Sequence, residues 1–173
     1  TAYIPPRIWL YQLSRLKEFL QDFEHHSKDI EACTNYCLHA YVTSAGDMES
    51  ACTLKLPSYY KPFASLNNPS KNGKLCGAQR FGPSHKTASR FNILELLEKW
   101  CGNIKSSGVA VLSQYLSMAT HVGKAYLLNF TLMRIEEVSS LRANCLVLET
   151  DKATNETIYL IKGATSKTVE DDQ

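Results

Sequence analysis

Apolar residues near the start of the chain recur in alternating steps of four and three, at Trp9, Leu13, Leu16, Leu20 and Phe23. That spacing gathers them on one stripe of a helix and matches the a/d seam of a coiled coil. Pro5 and Pro6 precede the stripe, where the first helical turn has no partner for an amide hydrogen. Ser27 interrupts the pattern and Ile30 rejoins it, so residues 1–35 read as a long N-terminal helix. Its stripe needs burial, and two surfaces would provide it: the rest of the same domain, or a second helix in a coiled coil of which this is the end.

The period changes after that helix. Tyr36 to Thr43 is rich in aromatic and β-branched residues, Ser44-Ala45-Gly46-Asp47 has turn chemistry, and Cys52, Leu54 and Leu56 alternate with polar neighbours, which predicts a β-hairpin. Four prolines and three glycines between Pro57 and Arg90 predict loops with short elements. Helical spacing returns at Phe91, Leu94, Leu97, Cys101 and Ile104, with a stop near Gly102. A longer helix is predicted from Val109 to Glu137, carrying Leu112, Tyr115, Leu116, Ala119, Val122, Tyr126, Phe130 and Met133. Cys145–Glu149 and Thr157–Ile161 read as a second hairpin. The expected architecture is α+β, an antiparallel sheet packed by helices over residues 36–166, with a flexible tail at 167–173.

A length of 173 residues with 44% hydrophobic and 21% charged side chains fits one globular domain that can bury its own core. No apolar run approaches the roughly 18 residues of a membrane span, so no membrane association is expected. The six cysteines are scattered and several lie in apolar stretches, which predicts reduced thiols and a cytosolic or nuclear protein. Asn129-Phe-Thr and Asn155-Glu-Thr match the glycosylation acceptor pattern and point the other way, but the first lies in an apolar helical pattern where a glycan fits badly.

The residues offer little for catalysis. His25, His26, His39, His85 and His121 stand in no familiar frame around a serine or cysteine, and no G-x-S-x-G, H-E-x-x-H or phosphate-binding loop occurs. The expectation is a protein that is not an enzyme and carries no cofactor. His25 or His26 with Cys33, Cys37 and His39 is the nearest approach to a zinc set, but no second close cysteine pair completes it. The thiols then read as core-facing and the histidines as solvated, with no metal. Glu136 and Glu137 are adjacent, point apart on a helix and read as a solvated end.

Charge is distributed unevenly around a net value of +2. No Asp or Glu occurs between Glu49 and Glu95, while Lys55, Lys61, Lys71, Lys74, Arg80, Lys86 and Arg90 all do, interleaved with Tyr59, Tyr60, Phe63 and Phe81. Such a segment can be a solvated loop, can grip an acidic protein surface, or can neutralise phosphates and stack on bases. The small net charge and the lack of a base-reading motif favour a protein partner over nucleic acid. The candidate partner-binding residues are Trp9, Leu13, Leu16 and Leu20 on the helix, and Lys71, Lys74, Arg80, Lys86 and Arg90 in the basic segment.

Trp100, Leu112, His121, Leu132 and Arg134 stand in an order and spacing that resemble the C-terminal RWD region of the kinetochore scaffold family of the KMN network, where a tryptophan ends one helix and a longer helix follows. The resemblance covers under half the chain, and the basic segment has no counterpart in the family. It implies an RWD-like domain entered by a coiled coil. The implied function is non-catalytic, docking a kinetochore scaffold onto its inner-kinetochore partner complex in chromosome segregation. It implies a nuclear, chromosome-associated protein. The alternative is a nucleic-acid-binding domain that uses residues 55–90.

Overall fold

A computed structural model of the chain describes residues 5–53, 56, 61–63, 80–102, 107–131, 133–142, 144–151 and 156–163. Helix α1 spans Pro6–His25, α2 Ser27–Ala45 and α3 Met48–Thr53. Then come α4 at Ser84–Arg90, α5 at Leu94–Cys101, a 3-10 turn at Gly108–Val111, α6 at Leu112–Thr131 and α7 at Ile135–Ser140. Strands β1, Leu146–Thr150, and β2, Thr157–Ile161, form a two-stranded antiparallel sheet. The described chain is thus mostly helical with one small sheet. It divides into two compact units, a core unit of Glu18–Ala119 and a terminal unit of Thr1–Lys17 with Thr120–Gln173.

The expected hairpin over residues 36–56 is not formed. Its first arm is the second half of α2, and Met48–Thr53 of its second arm is α3; Leu54 lies outside the described residues. Tyr36, Tyr41, Val42 and Thr43 suggest a strand by composition, but Ile30, Cys33 and Ala40 are the buried residues of α2 and lie at helical spacing. The Thr34 and Thr43 hydroxyls donate to the carbonyls of Ile30 and His39, one turn back, so both threonines are satisfied within a helix. The intervening turn joins two helices. Gly46, at φ +104°, donates its amide to Val42 at 2.8 Å, and Asp47 caps α3 by accepting from the Ser50 amide at 2.7 Å.

The single N-terminal helix expected over residues 1–35 is two helices meeting at His26. The His26 amide still donates to the Asp22 carbonyl, and the Ile30 amide donates to the carbonyl of His26. The helix expected over 109–137 is also divided. It opens as a 3-10 turn, runs as α6 to Thr131 and restarts as α7, because the Glu137 carboxylate accepts the Arg134 amide at 2.8 Å and holds Arg134 extended. Glu137 therefore caps a helix, where a solvated end was expected. The tail at 167–173 lies outside the described residues.

The core unit is organised around aromatic rings. Phe19 is buried, with the Trp100 ring edge-on at 4.8 Å and Tyr115 at 5.2 Å; Phe23 stacks on Tyr115 at 6.3 Å. Asp22, one turn from Phe19, accepts the Trp100 indole N–H at 2.8 Å and pairs with Lys99 at 2.7 Å, and Lys99 also meets Glu18 at 2.8 Å. Burial pushes the Asp22 carboxyl up, but the hydrogen bonds from Lys99 and Trp100 outweigh it and hold the group below its ordinary value. Ile30, Cys33, Ile93, Leu97 and Leu112 of the same unit are also buried.

The 3-10 turn lies against α4. The Ser84 hydroxyl donates to the Ser107 carbonyl and accepts the Ala110 amide at 3.3 Å. Gly108, at φ +47°, is pressed onto the Ser84–His85 peptide, where a Cβ would come within 2.3 Å of the Ser84 carbonyl carbon. No other residue type fits there.

Phe19→Ala is expected to destabilise the protein by about 3–5 kcal/mol in urea denaturation. Tyr115→Phe is expected to be neutral or stabilising by up to about 1 kcal/mol, because the buried Tyr115 hydroxyl has no hydrogen-bond partner. Asp22, with its lowered folded pKa, contributes stability that is present above the ordinary carboxylate value of 3.8 and is lost as pH falls through the folded value. Asp22→Asn should therefore flatten the acid limb of a plot of unfolding free energy against pH, measured between about pH 5 and 2.

Candidate functional site

Every buried hydrophobic side chain among the described residues, apart from Val138, lies in the core unit. Among the described residues, every exposed large hydrophobic apart from Leu38, Tyr41 and Met48 lies in the terminal unit. The terminal unit thus presents apolar surface with little core beneath it, and exposed apolar area of that kind marks an interaction surface.

The hairpin carries much of this surface. Leu146 opposes Ile161 and Leu148 opposes Tyr159 on one face, while Val147 opposes Leu160 and Glu149 opposes Ile158 on the other. Leu148 is 60% exposed and Tyr159 70% exposed. An antiparallel hairpin with one solvated face alternates apolar and polar residues, and this one is apolar on both faces. Two strands alone are also marginal in water. Two apolar runs separated by a polar loop mark these strands in the sequence, where they are expected in a sheet covered by helices; their exposure is visible only in the fold.

The sequence-predicted partner-binding residues fall into three groups. Trp9, Leu13 and Leu16 line a shallow groove in the terminal unit together with Ala125 and Asn129. The Trp9 indole N–H donates to Asn129 Oδ1 at 3.1 Å, and Asn129 Nδ2 donates to the Ala125 carbonyl at 2.8 Å, so both ends of this carboxamide are engaged. Leu20 belongs to the core unit and is half-buried. Phe19 is the residue of α1 that the core unit buries most completely, and the heptad reading missed it.

In the basic segment Arg80, Lys86 and Arg90 are exposed, while Lys71 and Lys74 lie outside the described residues. Lys86 and Arg90 are one turn apart on α4. The Arg90 guanidinium lies 5.2 Å from the Tyr36 ring centroid and 5.6 Å from that of Phe91, and Arg80 lies 5.2 Å from Phe81. Stacking on the chain's own rings holds both arginines and occupies faces that bases would need. Of the residues that carry the kinetochore resemblance, Trp100 is half-buried near the end of α5, Leu112 is buried at the start of α6, and His121 and Arg134 are exposed; Leu132 lies outside the described residues.

The residues of the zinc reading do not assemble. Among the described residues no group of three or more His, Cys, Asp or Glu side chains could hold a metal ion. Cys33 is buried and Cys37 half-buried, and their thiols are hydrogen-bonded to each other. That bond, with burial, pushes Cys33 up, and the Cys33 donor holds Cys37 down. The described cysteines, Cys33, Cys37, Cys52, Cys101 and Cys145, are free. Among the described residues no helix is long and apolar enough to cross a membrane.

Compared with known proteins, the chain matches no family model, no curated protein and no solved structure.

Leu148→Ser and Tyr159→Ser remove exposed side chains, so each is expected to change the unfolding free energy by less than about 0.5–1 kcal/mol in urea denaturation.

Proposed function

We propose that this chain is a non-catalytic protein-interaction domain whose terminal unit binds a protein partner through the hairpin and the Trp9 groove. The observation that carries the reading is the separation of buried from exposed apolar residues: among the described residues the core unit holds nearly all the buried ones and the terminal unit most of the exposed ones. The hairpin suits such a partner in two ways. Its apolar faces offer Leu148 and Tyr159 as anchors, and its strands can extend by pairing with a strand of the partner.

On this reading the partner surface is apolar at its centre. The basic residues Arg80, Lys86 and Arg90 serve the core unit's solubility or a separate acidic contact. The resemblance carried by Trp100, Leu112, His121, Leu132 and Arg134 makes the proposal more specific: an RWD-like unit of a kinetochore scaffold, docking it onto its inner-kinetochore partner complex in the nucleus. That identification rests on those residues alone, whereas the interaction reading rests on the surface.

Two measurements separate the levels. A photo-crosslinking residue placed at Tyr159 in cells is expected to capture a protein, and the paired substitutions Leu148→Ser and Tyr159→Ser are expected to abolish capture while leaving thermal unfolding unchanged. Co-elution of the chain with recombinant inner-kinetochore complexes tests the narrower identification, and failure to co-elute would remove it. Submicromolar binding of DNA or RNA at physiological salt with a steep salt dependence, together with no capture at position 159, would replace the protein reading with the nucleic-acid one.

A further inference from the structure

Among the described residues of the core unit the exposed large hydrophobic side chains are Leu38, Tyr41 and Met48, and all three line one cleft of about 820 Å3. The cleft lies between α2, α3, the Lys61–Phe63 segment and the 3-10 turn that leads into α6. We propose that it is a binding site for a single-chain amphiphile with an anionic head, of the fatty-acid class, with the chain against Leu38, Met48 and Leu112 and the carboxylate at Lys61.

Size and lining support this class. Pockets for small organic ligands typically enclose roughly 300–1,000 Å3 and are mostly apolar with a few polar groups. Here the lining hydroxyls of Thr34 and Ser84 are already committed, to the Ile30 carbonyl and to the Ser107 carbonyl respectively, which leaves the polar part of the lining to the side chains of Tyr41, Ser107, Ser113 and Lys61. Charge settles the head group. Among the described lining residues Lys61 is the one charged side chain, and no carboxylate is present to oppose an anion or to attract a cation. Lys61 is exposed, so the head would sit at the solvent edge while the chain is covered.

The wall also combines a fixed part with an adaptable one. Phe63 adopts φ +62°, an uncommon conformation for an aromatic residue, and its ring is held among those of Tyr36, Tyr41 and Phe81 at 6.1 to 6.4 Å. Met48, on α3 across the cleft, has an unbranched side chain that can adjust to a flexible chain. This site is in the core unit and does not depend on the partner reading for the terminal unit.

The test uses the full chain with laurate, dodecanol and dodecyltrimethylammonium, each below its micelle concentration, followed by calorimetry. The expected result is saturable one-to-one binding in the order laurate, then dodecanol, then the cation. Lys61→Glu should weaken laurate about five- to tenfold and leave dodecanol unchanged. Laurate should slow alkylation of Cys37 and Cys52, which line the cleft, and leave that of Cys101 unaltered. Ala51→Trp should fill the cleft and abolish binding of both laurate and dodecanol; if that variant fails to fold, Leu38→Glu, at an exposed position, puts a charge against the alkyl chain and carries the same readout. Absence of saturable binding, affinity indifferent to head charge, or alkylation slowed equally at Cys101 would overturn the proposal. So would protection of Cys37 by an amphipathic peptide but not by laurate, which would make the occupant a protein segment.

Discussion

The contact of the Trp100 ring edge with Phe19, fixed by the Asp22 carboxylate, is the constraint on which the core unit depends. Asp22 lies three residues beyond Phe19, so one turn of α1 presents both the ring that is packed and the acceptor that orients the indole. The same carboxylate takes Lys99, so two consecutive residues of α5 are held by one acid of α1. Once α5 is set against α1 in this way, Tyr115 of α6 closes the aromatic cluster, and Ile93 and Leu97 of the same unit are fully buried. Little of this needs the sheet. The hairpin belongs to the terminal unit, and Leu146, Leu148, Ile158, Tyr159 and Leu160 on it are exposed.

Periodicity made much of this legible and misled where it was read against the wrong template. The start of α1 at Pro6, the position of α5 and both strands of the 146–161 hairpin followed from spacing and turn residues. The heptad frame through Trp9, Leu13, Leu16, Leu20 and Phe23 concealed Phe19, because a straight helix turns every 3.6 residues and its buried stripe drifts from a 3.5-residue seam. Over Tyr36–Thr43 composition outweighed spacing. The Gly46-Asp47 pair suits a hairpin turn, yet a glycine at a helix end followed by an aspartate at the next helix start is also the signature of a helix-to-helix turn. Glu137 had no visible sequence role until its carboxylate was seen on the Arg134 amide.

The candidate sites were legible only in part, for a different reason. Trp9, Leu13 and Leu16 are adjacent along one helix, so sequence spacing alone could group them, and Ala125 and Asn129 join them only through folding. The cleft of the core unit draws on α2, α3, residues 61–63, Ser84 and the turn before α6, which no local pattern links. Lys61, the cation among its described lining residues, is visible in the sequence as a member of a basic run. Which member of that run faces an apolar cleft is a property of the fold.

The two halves of the account predict an uneven distribution of stability. Residues of α1 around Phe19, with α5 and the start of α6, carry the buried contacts, and the hairpin carries few. Hydrogen exchange followed by mass spectrometry on the isolated full chain reads this directly. Amides of residues 19–33, 94–102 and 107–116 are expected to exchange slowly, near the rate of global unfolding, and those of 146–151 and 156–161 orders of magnitude faster. Protection of the hairpin equal to that of the aromatic cluster would mean that its apolar faces are already buried within the isolated chain, and would contradict the reading of the terminal unit as a surface awaiting a partner.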